Sequence, residues 1–208
     1  MQNSPHDLVN IDLFNRNLVN TDSVDIDTMG AKEEVAIFSL RDRPEYIHEL
    51  AQWHQLEWCN SGYTVTISRR VQRLRTHLQS EGLPCTWLAM QADRLVGSVS
   101  LVNYAFAQNS FTTAWLANLF VVPTQRRKGL GHQLLAYAEQ QASLLGLKEL
   151  FLFTPNRRQY YESHQWSFTH QSRVRGQWVD VMKKALFDAQ PGLLPPSCGR
   201  STPLNLRW

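Results

Sequence analysis

Residues 114–146 read AWLANLFVVPTQRRKGLGHQLLAYAEQQASLLG, and the fold is decided there. The first nine positions are almost wholly apolar, the pattern of a central strand covered on both faces. Pro123 ends that run, Gly129 and Gly131 bracket a single residue, and the spacing that follows predicts a helix over 132–145, closed by Gly146. Glycine lets the backbone take positive φ and lets a ligand approach without a Cβ in the way. A helix beginning at such a turn offers unpaired amides and the positive end of its dipole, a cradle for an anion such as pyrophosphate. Arg126, Arg127 and Lys128 raise the positive potential around it. Two other glycine-rich motifs fail on spacing. A dinucleotide fingerprint needs a small residue where Leu134 stands, and a phosphate loop needs Lys-Ser/Thr where His132-Gln133 stand.

Upstream, residues 34–40 (EVAIFSL) read as a short strand, and Pro44 opens a helix carrying Tyr46, Ile47, Leu50, Ala51 and Trp53. Residues 66–80 form a second helix, with Val71, Leu74 and Leu78 inward and Arg69, Arg70, Arg73 and Arg75 outward. Two β-rich runs, 86–90 and 94–102, flank Gln91-Ala92-Asp93 as a hairpin. Downstream come a buried strand at 149–154 (ELFLFT), a short helix at 157–163, and an antiparallel pair, 166–174 and 178–184, around Arg175-Gly176-Gln177. The order β-α-α-β-β-β-α-β-α-β-β describes an α/β fold of the α+β kind, a mixed sheet with helices on both faces.

A chain of 208 residues and 24.0 kDa, 43% hydrophobic and 19% charged, has the length and composition to bury one core and is not disordered overall. No apolar run approaches the length of a membrane span, and no basic region precedes an apolar stretch at the N-terminus, so a cytoplasmic location is expected. The three cysteines (Cys59, Cys85, Cys198) lie far apart with no C-x-x-C pair, and the seven histidines form no H-x-x-x-H or H-E-x-x-H pairing, so neither a disulfide framework nor a metal is expected. The net charge of +3 divides unevenly: residues 1–34 carry −5 and the rest +8, a basic body suited to an anionic ligand. Composition separates a polar acidic extension (1–33), one domain (34–187) and a Pro/Gly-containing tail (188–208).

The arrangement V-x-P-x-x-R-x-x-G-x-G, from Val121 through Pro123 and Arg126 to Gly129 and Gly131, resembles the GNAT superfamily of acyl-CoA N-acyltransferases. The stretch FTPNRRQYYESHQW, residues 153–166, is similar to that family's F/Y-Y-E-x-x-G-F/W segment, and the resemblance covers about residues 35–185. It implies a fourth and fifth strand that splay apart, with acetyl-CoA wedged between them as acetyl donor. Phe120, Val121 and Val122 then run along the pantetheine arm. The amides of Arg126, Arg127, Lys128, Gly129, Leu130, Gly131 and His132 receive the pyrophosphate. Asn156 matches a position that hydrogen-bonds the cofactor, and as a residue it also suits a helix N-cap. Tyr161 matches the tyrosine that protonates the departing thiolate, with Tyr160 as its rival. The implied reaction is direct attack of a neutral amine through a tetrahedral intermediate, with the amide of Val121 or Val122 as oxyanion donor and no role for a cysteine.

Two departures from the family pattern stand out. No acid occurs over residues 114–128, and Ala117-Asn118 stand where many relatives carry a carboxylate; Glu57, His170 and Asp180 are the substitutes for a base. Gln165 replaces the usual glycine of the Tyr161 segment. Trp53, Trp58 and Trp87 suit an acceptor pocket or the core. The expected activity is acetyl transfer from acetyl-CoA to a primary amine of a small molecule, peptide or protein, in a ternary complex. Neither a metal, a membrane nor nucleic acid is the expected partner, and a homodimer is left open. The other reading is a non-catalytic acyl-CoA-binding sensor or interaction module.

Overall fold

Residues 34–59, 65–79, 82–105, 112–174 and 176–186 are described in the computed structural model. The chain separates into units Met1–Lys32 and Glu33–Trp208, and every strand and helix named here belongs to the second. The expected extension (1–33) and tail (188–208) lie outside the described residues, as do the side chains of Trp58, Cys59 and Cys198.

Seven strands form one sheet: β1 (Val35–Ser39), β2 (Cys85–Gln91), β3 (Arg94–Ala105), β4 (Thr112–Val121), β5 (Glu149–Thr154), β6 (Ser167–Val174) and β7 (Gln177–Ala185). Their spatial order is β1-β2-β3-β4-β5-β7-β6, and every neighbouring pair is antiparallel except β4 with β5. The helices are α1 (Ile47–Cys59), α2 (Ile67–Thr76), α3 (Leu130–Leu144) and α4 (Arg158–Glu162). The expected mixed sheet with helices on both faces is the fold observed. Pro44 does not begin α1 itself; it opens a separate 3-10 turn, Pro44–Tyr46, before the α-helix starts at Ile47. Helix α2 is shorter than expected, with Thr66 capping its first turn by accepting from Arg69 N–H.

Two apolar layers sandwich the sheet. On one face Leu134, Leu135, Ala138 and Ala142 of α3 pack against Trp87, Val99, Leu101, Leu150 and Leu152. On the other, Leu50 and Trp53 of α1 and Val71 and Leu74 of α2 pack against Leu88, Met90 and Leu95. Each fully buried leucine adds about 1.5–3 kcal/mol relative to an exposed one. Not all the arginines of α2 face outward. Arg70 is half-buried and its Nε donates to Gln55 Oε1 at 2.6 Å, joining α2 to α1. Trp87 and Trp53 are core residues, each below a tenth exposed.

Local turns follow from residue type. Helix α3 ends with Gly146 at φ 75, Gly146 N–H donating to Ser143 O (2.9 Å) and Leu147 N–H to Ala142 O (3.0 Å), a Schellman closure. Ala92 and Asp93 both take left-handed backbone (φ 45 and 59) in the β2–β3 hairpin, the twist a two-residue turn requires. Tyr46 Oη donates to Asp93 O across that turn at 3.1 Å. The β5–β7 half is tied to α3 by Glu139, which accepts from Lys184 Nζ (2.6 Å) and Trp166 Nε1 (2.8 Å).

Candidate active site

Strands β4 and β5 share a single paired position, Trp115 with Phe151, and their ladder stops there. Just beyond it β4 bulges: Ser98 faces Phe120 and Ser100 faces Ala117, so Asn118 and Leu119 together oppose Val99. Asn118 absorbs the extra residue in left-handed backbone (φ 54), which asparagine tolerates better than most residues. A bulge bends its strand, and here it bends β4 where it parts from β5. The expectation that 114–122 is covered on both faces therefore holds only for its first third. Ala114, Trp115 and Leu116 are buried, whereas positions 117–122 are half-buried along the gap.

The backbone groups facing that gap can be named. Val122 N–H donates to Val96 O at 3.0 Å. Bonded and non-bonded pairs alternate along an antiparallel ladder, so Val121, opposite Gly97, turns its N–H and C=O away from β3. Of the two oxyanion donors the resemblance allowed, Val122 is thus occupied within the sheet and Val121 is presented. Phe120 lies along the gap with its ring against Trp53, centroids 5.0 Å apart. Arg126 is not an open charge beside the turn. Its Nε donates to Val121 O at 2.8 Å, its guanidinium lies 5.6 Å from the Phe120 ring centroid, and Glu57 is 3.9 Å away. Lys128 Nζ donates to Gln125 Oε1 (3.2 Å), and Gln125 in turn donates to Gln91 (2.7 Å). Arg127 is exposed, in left-handed backbone at φ 62.

Beyond the gap, Gly129 is the N-cap of α3 at φ 85, with open space where a Cβ would stand. The first-turn amides of this 15-residue helix have no intrahelical acceptors and face outward from its N-terminus. Leu130 is buried in the core behind them, while His132 is exposed with its ring 4.6 Å from that of His164. Gly131 serves differently from Gly129. Its φ is not left-handed; a Cβ there would lie 3.1 Å from Tyr160 Oη and 3.9 Å from Val121 Cγ2. The close approach that glycine permits is that of Tyr160, whose hydroxyl is buried without a hydrogen-bond partner among the described residues. Tyr161 packs edge-on against Tyr160 (5.2 Å) and Trp166 (6.2 Å). Burial, reinforced by Tyr160 and opposed by Arg157, pushes its phenol well above the ordinary range; burial also raises that of Tyr160. Both hydroxyls therefore hold their protons at neutral pH.

Asn156 is exposed and does not cap α4. Thr154 Oγ1 accepts from Arg157 N–H (3.0 Å), and the N-cap position belongs to Arg157. The three substitutes for a base are engaged elsewhere or exposed at the sheet edge: Glu57 beside Arg126, Asp180 accepting from Gln171 Nε2 (3.0 Å), and His170 on β6. Gln165 adopts φ 66, the left-handed backbone that glycine would favour there. Sequence reasoning passed over Thr86, Ser98 and Ser100, which join His77 and Asn118 in a buried polar chain. The signal was the alternation G-S-V-S-L at 97–101, which places two hydroxyls on a face that should be apolar. Among the described residues no group of three or more His, Cys, Asp or Glu is arranged to hold a metal ion, and no helix is long and apolar enough to cross a membrane.

Residues 47–165, more than half the chain, match the family model described as acetyltransferase (GNAT) family. The chain belongs to the GNAT acetyltransferase family. It is similar in fold to a GNAT-family acetyltransferase of Streptococcus pneumoniae (TM-score 0.57, 20% identity, 74% of this chain and 100% of that one). An aminoglycoside 6′-N-acetyltransferase complexed with coenzyme A is similar too (TM-score 0.59, 17% identity, 73% and 97%). So is yncA of Salmonella typhimurium with its cofactor acetyl-CoA (TM-score 0.58, 17% identity, 76% and 96%). Comparison with curated protein sequences gave no significant match. As a member of this family the chain is an acetyltransferase.

Proposed function

We propose that the protein transfers the acetyl group of acetyl-CoA directly to a primary amine of a small molecule, peptide or protein, both substrates being bound together. The observation that carries this reading is the β4–β5 gap, paired only at Trp115 and Phe151, with the Val121 amide turned into it and the N-terminus of α3 beyond it. A coenzyme A thioester suits these residues. Its diphosphate matches outward amides at a helix N-terminus, and its amide-bearing arm matches a strand edge with no partner strand. Bound there, it supplies an acyl group activated by a thiol leaving group. Val121 N–H polarises the carbonyl, Tyr161 gives its phenolic proton to the departing sulfur, and the proton shed by the amine nitrogen returns through solvent to restore the phenol. The catalytic domain in this proposal is residues 34–187, in a cytoplasmic setting.

The acceptor is an amine already neutral in useful amount at working pH. Besides the engaged carboxylates, the buried rings of His54 and His77 are poor bases, held down to about 3 and about 4 by burial first, with Arg70 and His77 adding to it at His54. An α-amino group is about one-tenth neutral at pH 7, a lysine side chain less than about one part in a thousand. Thiol release with acetyl-CoA against pooled amines and peptides tests the activity. Release with free α-amines, exceeding that with ε-amines, is expected. No coenzyme A uptake by calorimetry on the folded chain would overturn the reading.

A further inference from the structure

A run of hydrogen bonds crosses the sheet beneath α1 and α2. His77 Nδ1 lies 2.7 Å from Thr86 Oγ1, which lies 2.8 Å from Ser100 Oγ, and Asn118 Nδ2 donates to that same Ser100 oxygen at 3.3 Å. Four elements contribute: His77 caps the C-terminus of α2, and the others stand on β2, β3 and β4. His77, Thr86 and Ser100 are buried at 8%, 1% and 0% exposure. A hydroxyl in such a place costs desolvation that valine or alanine would avoid, so only full connection makes it tolerable. With the neutral ring protonated on Nε2, the donors run one way: Asn118 N–H into Ser100, Ser100 O–H into Thr86, Thr86 O–H into Nδ1 of the imidazole. In that tautomer His77 Nδ1 is the terminal acceptor, and every link of the chain points toward it.

The open end is Asn118. Its amide nitrogen is pinned by Ser100 and its backbone oxygen accepts from Ser98 Oγ at 3.3 Å. Its Oδ1 accepts no hydrogen bond among the described residues and is not sealed from solvent. It sits on the bulge, at the point where β4 leaves β5. We propose that the chain from His77 through Thr86 and Ser100 is a positioning device that turns Asn118 Oδ1 toward the acceptor side, where it receives an N–H of the incoming neutral amine. The inference rests on the acetyl-transfer reading and deepens it. Asn118 touches the acceptor, and His77, Thr86 and Ser100 act through it. A carboxamide oxygen orients a neutral N–H and leaves the nitrogen lone pair free to attack, which a carboxylate paired with an ammonium does not.

The test is kinetic. Thr86→Val removes one hydroxyl at nearly constant shape and frees the carboxamide to turn. The Michaelis constant for the amine should rise about tenfold, the size of one lost, well-placed hydrogen bond, while coenzyme A affinity by calorimetry stays within about twofold. Thr86→Ser should restore the parent value. In the Asn118→Asp background both terminal atoms are acceptors, so orientation no longer matters and Thr86→Val should add no further loss. Should Thr86→Val fail to fold, Ser100→Cys, similar in shape but a weak donor, should show the same shift in the amine constant. Equal Michaelis constants in parent and variant, equal losses in both backgrounds, or a parallel loss of coenzyme A affinity each overturn the positioning role. A parent chain that neither binds coenzyme A nor releases thiol overturns the acetyl-transfer reading itself, and this inference with it.

Discussion

The two sides of the β4–β5 gap are built from different materials. Toward α3, the groups that face outward are mostly backbone: the Val121 amide, the first-turn amides of α3, and the bare Cα atom of Gly129. Toward α1 and α2 the half-buried polar group is a side chain, that of Asn118, tied through the buried Ser100 and Thr86 to the buried imidazole of His77. A site made of backbone is written in local sequence, since a strand, a proline and two glycines suffice to specify it. A site made of side chains from separated strands has no local signature. In the proposed acetyl transfer the backbone side takes the donor and the side-chain side the acceptor.

The largest effect that separates the two sides is acid sensitivity. His54 and His77 are buried neutral, with affinities for protons lowered to about 3 and about 4. In the unfolded chain they bind protons near the ordinary value of about 6.5, so stability is fully present above that value and falls as the pH drops below it. The loss is roughly 2 kcal/mol from each ring by about pH 5. Urea midpoints measured between neutral pH and about pH 5 should fall accordingly, and His54→Phe should flatten the slope; an unchanged slope would mean that the acceptor side is not held by neutral imidazoles.

Next in size is Tyr161→Phe, which should lower kcat about a hundredfold while coenzyme A affinity stays level, whereas Tyr160→Phe should spare kcat. The opposite ranking, read from initial rates at saturating acetyl-CoA, would exchange the roles of the two tyrosines. On the stability side, Gly97→Ala places a methyl 2.9 Å from both Leu134 Cδ1 and Phe120 O. Backbone cannot yield as a side-chain tip can, so a loss of about 1–3 kcal/mol, several degrees in Tm, should follow with the amine preference intact. The smallest effect sharpens the donor side alone. Gly131→Ala meets Tyr160 Oη at 3.1 Å and should weaken coenzyme A binding about tenfold. Adding Tyr160→Phe should recover most of that loss in calorimetry, because the clash is with the hydroxyl.

Much of this fold was legible. The strand ELFLFT falls at Glu149–Thr154 as expected, and the hairpin around Ala92 and Asp93 and the closure of α3 at Gly146 follow from local rules. What escaped depends on partners distant in sequence. Apolar residues along β4 gave no sign that its ladder to β5 would end after one pair, because the bulge arises from register against β3. Arg126 was legible as a charge but not as the donor to Val121 O, and Val122 as a strand residue but not as the donor to Val96. Asn156 suited a cap by type, yet Thr154 reaches the free amide first. Gly131 was expected to admit a ligand, and the group it admits is the Tyr160 hydroxyl, supplied by a helix 29 positions further on.

Position 118 combines two demands in one residue, because its φ of 54 shapes the strand while its side chain ends the polar chain. Left-handed backbone admits a short alphabet at modest cost: asparagine, aspartate, histidine and glycine. At that spot the first three of these present an amide, a carboxylate or an imidazole, and glycine presents none. Exchange among these favoured residues changes the chemistry presented at the bulge more than the size of the side chain.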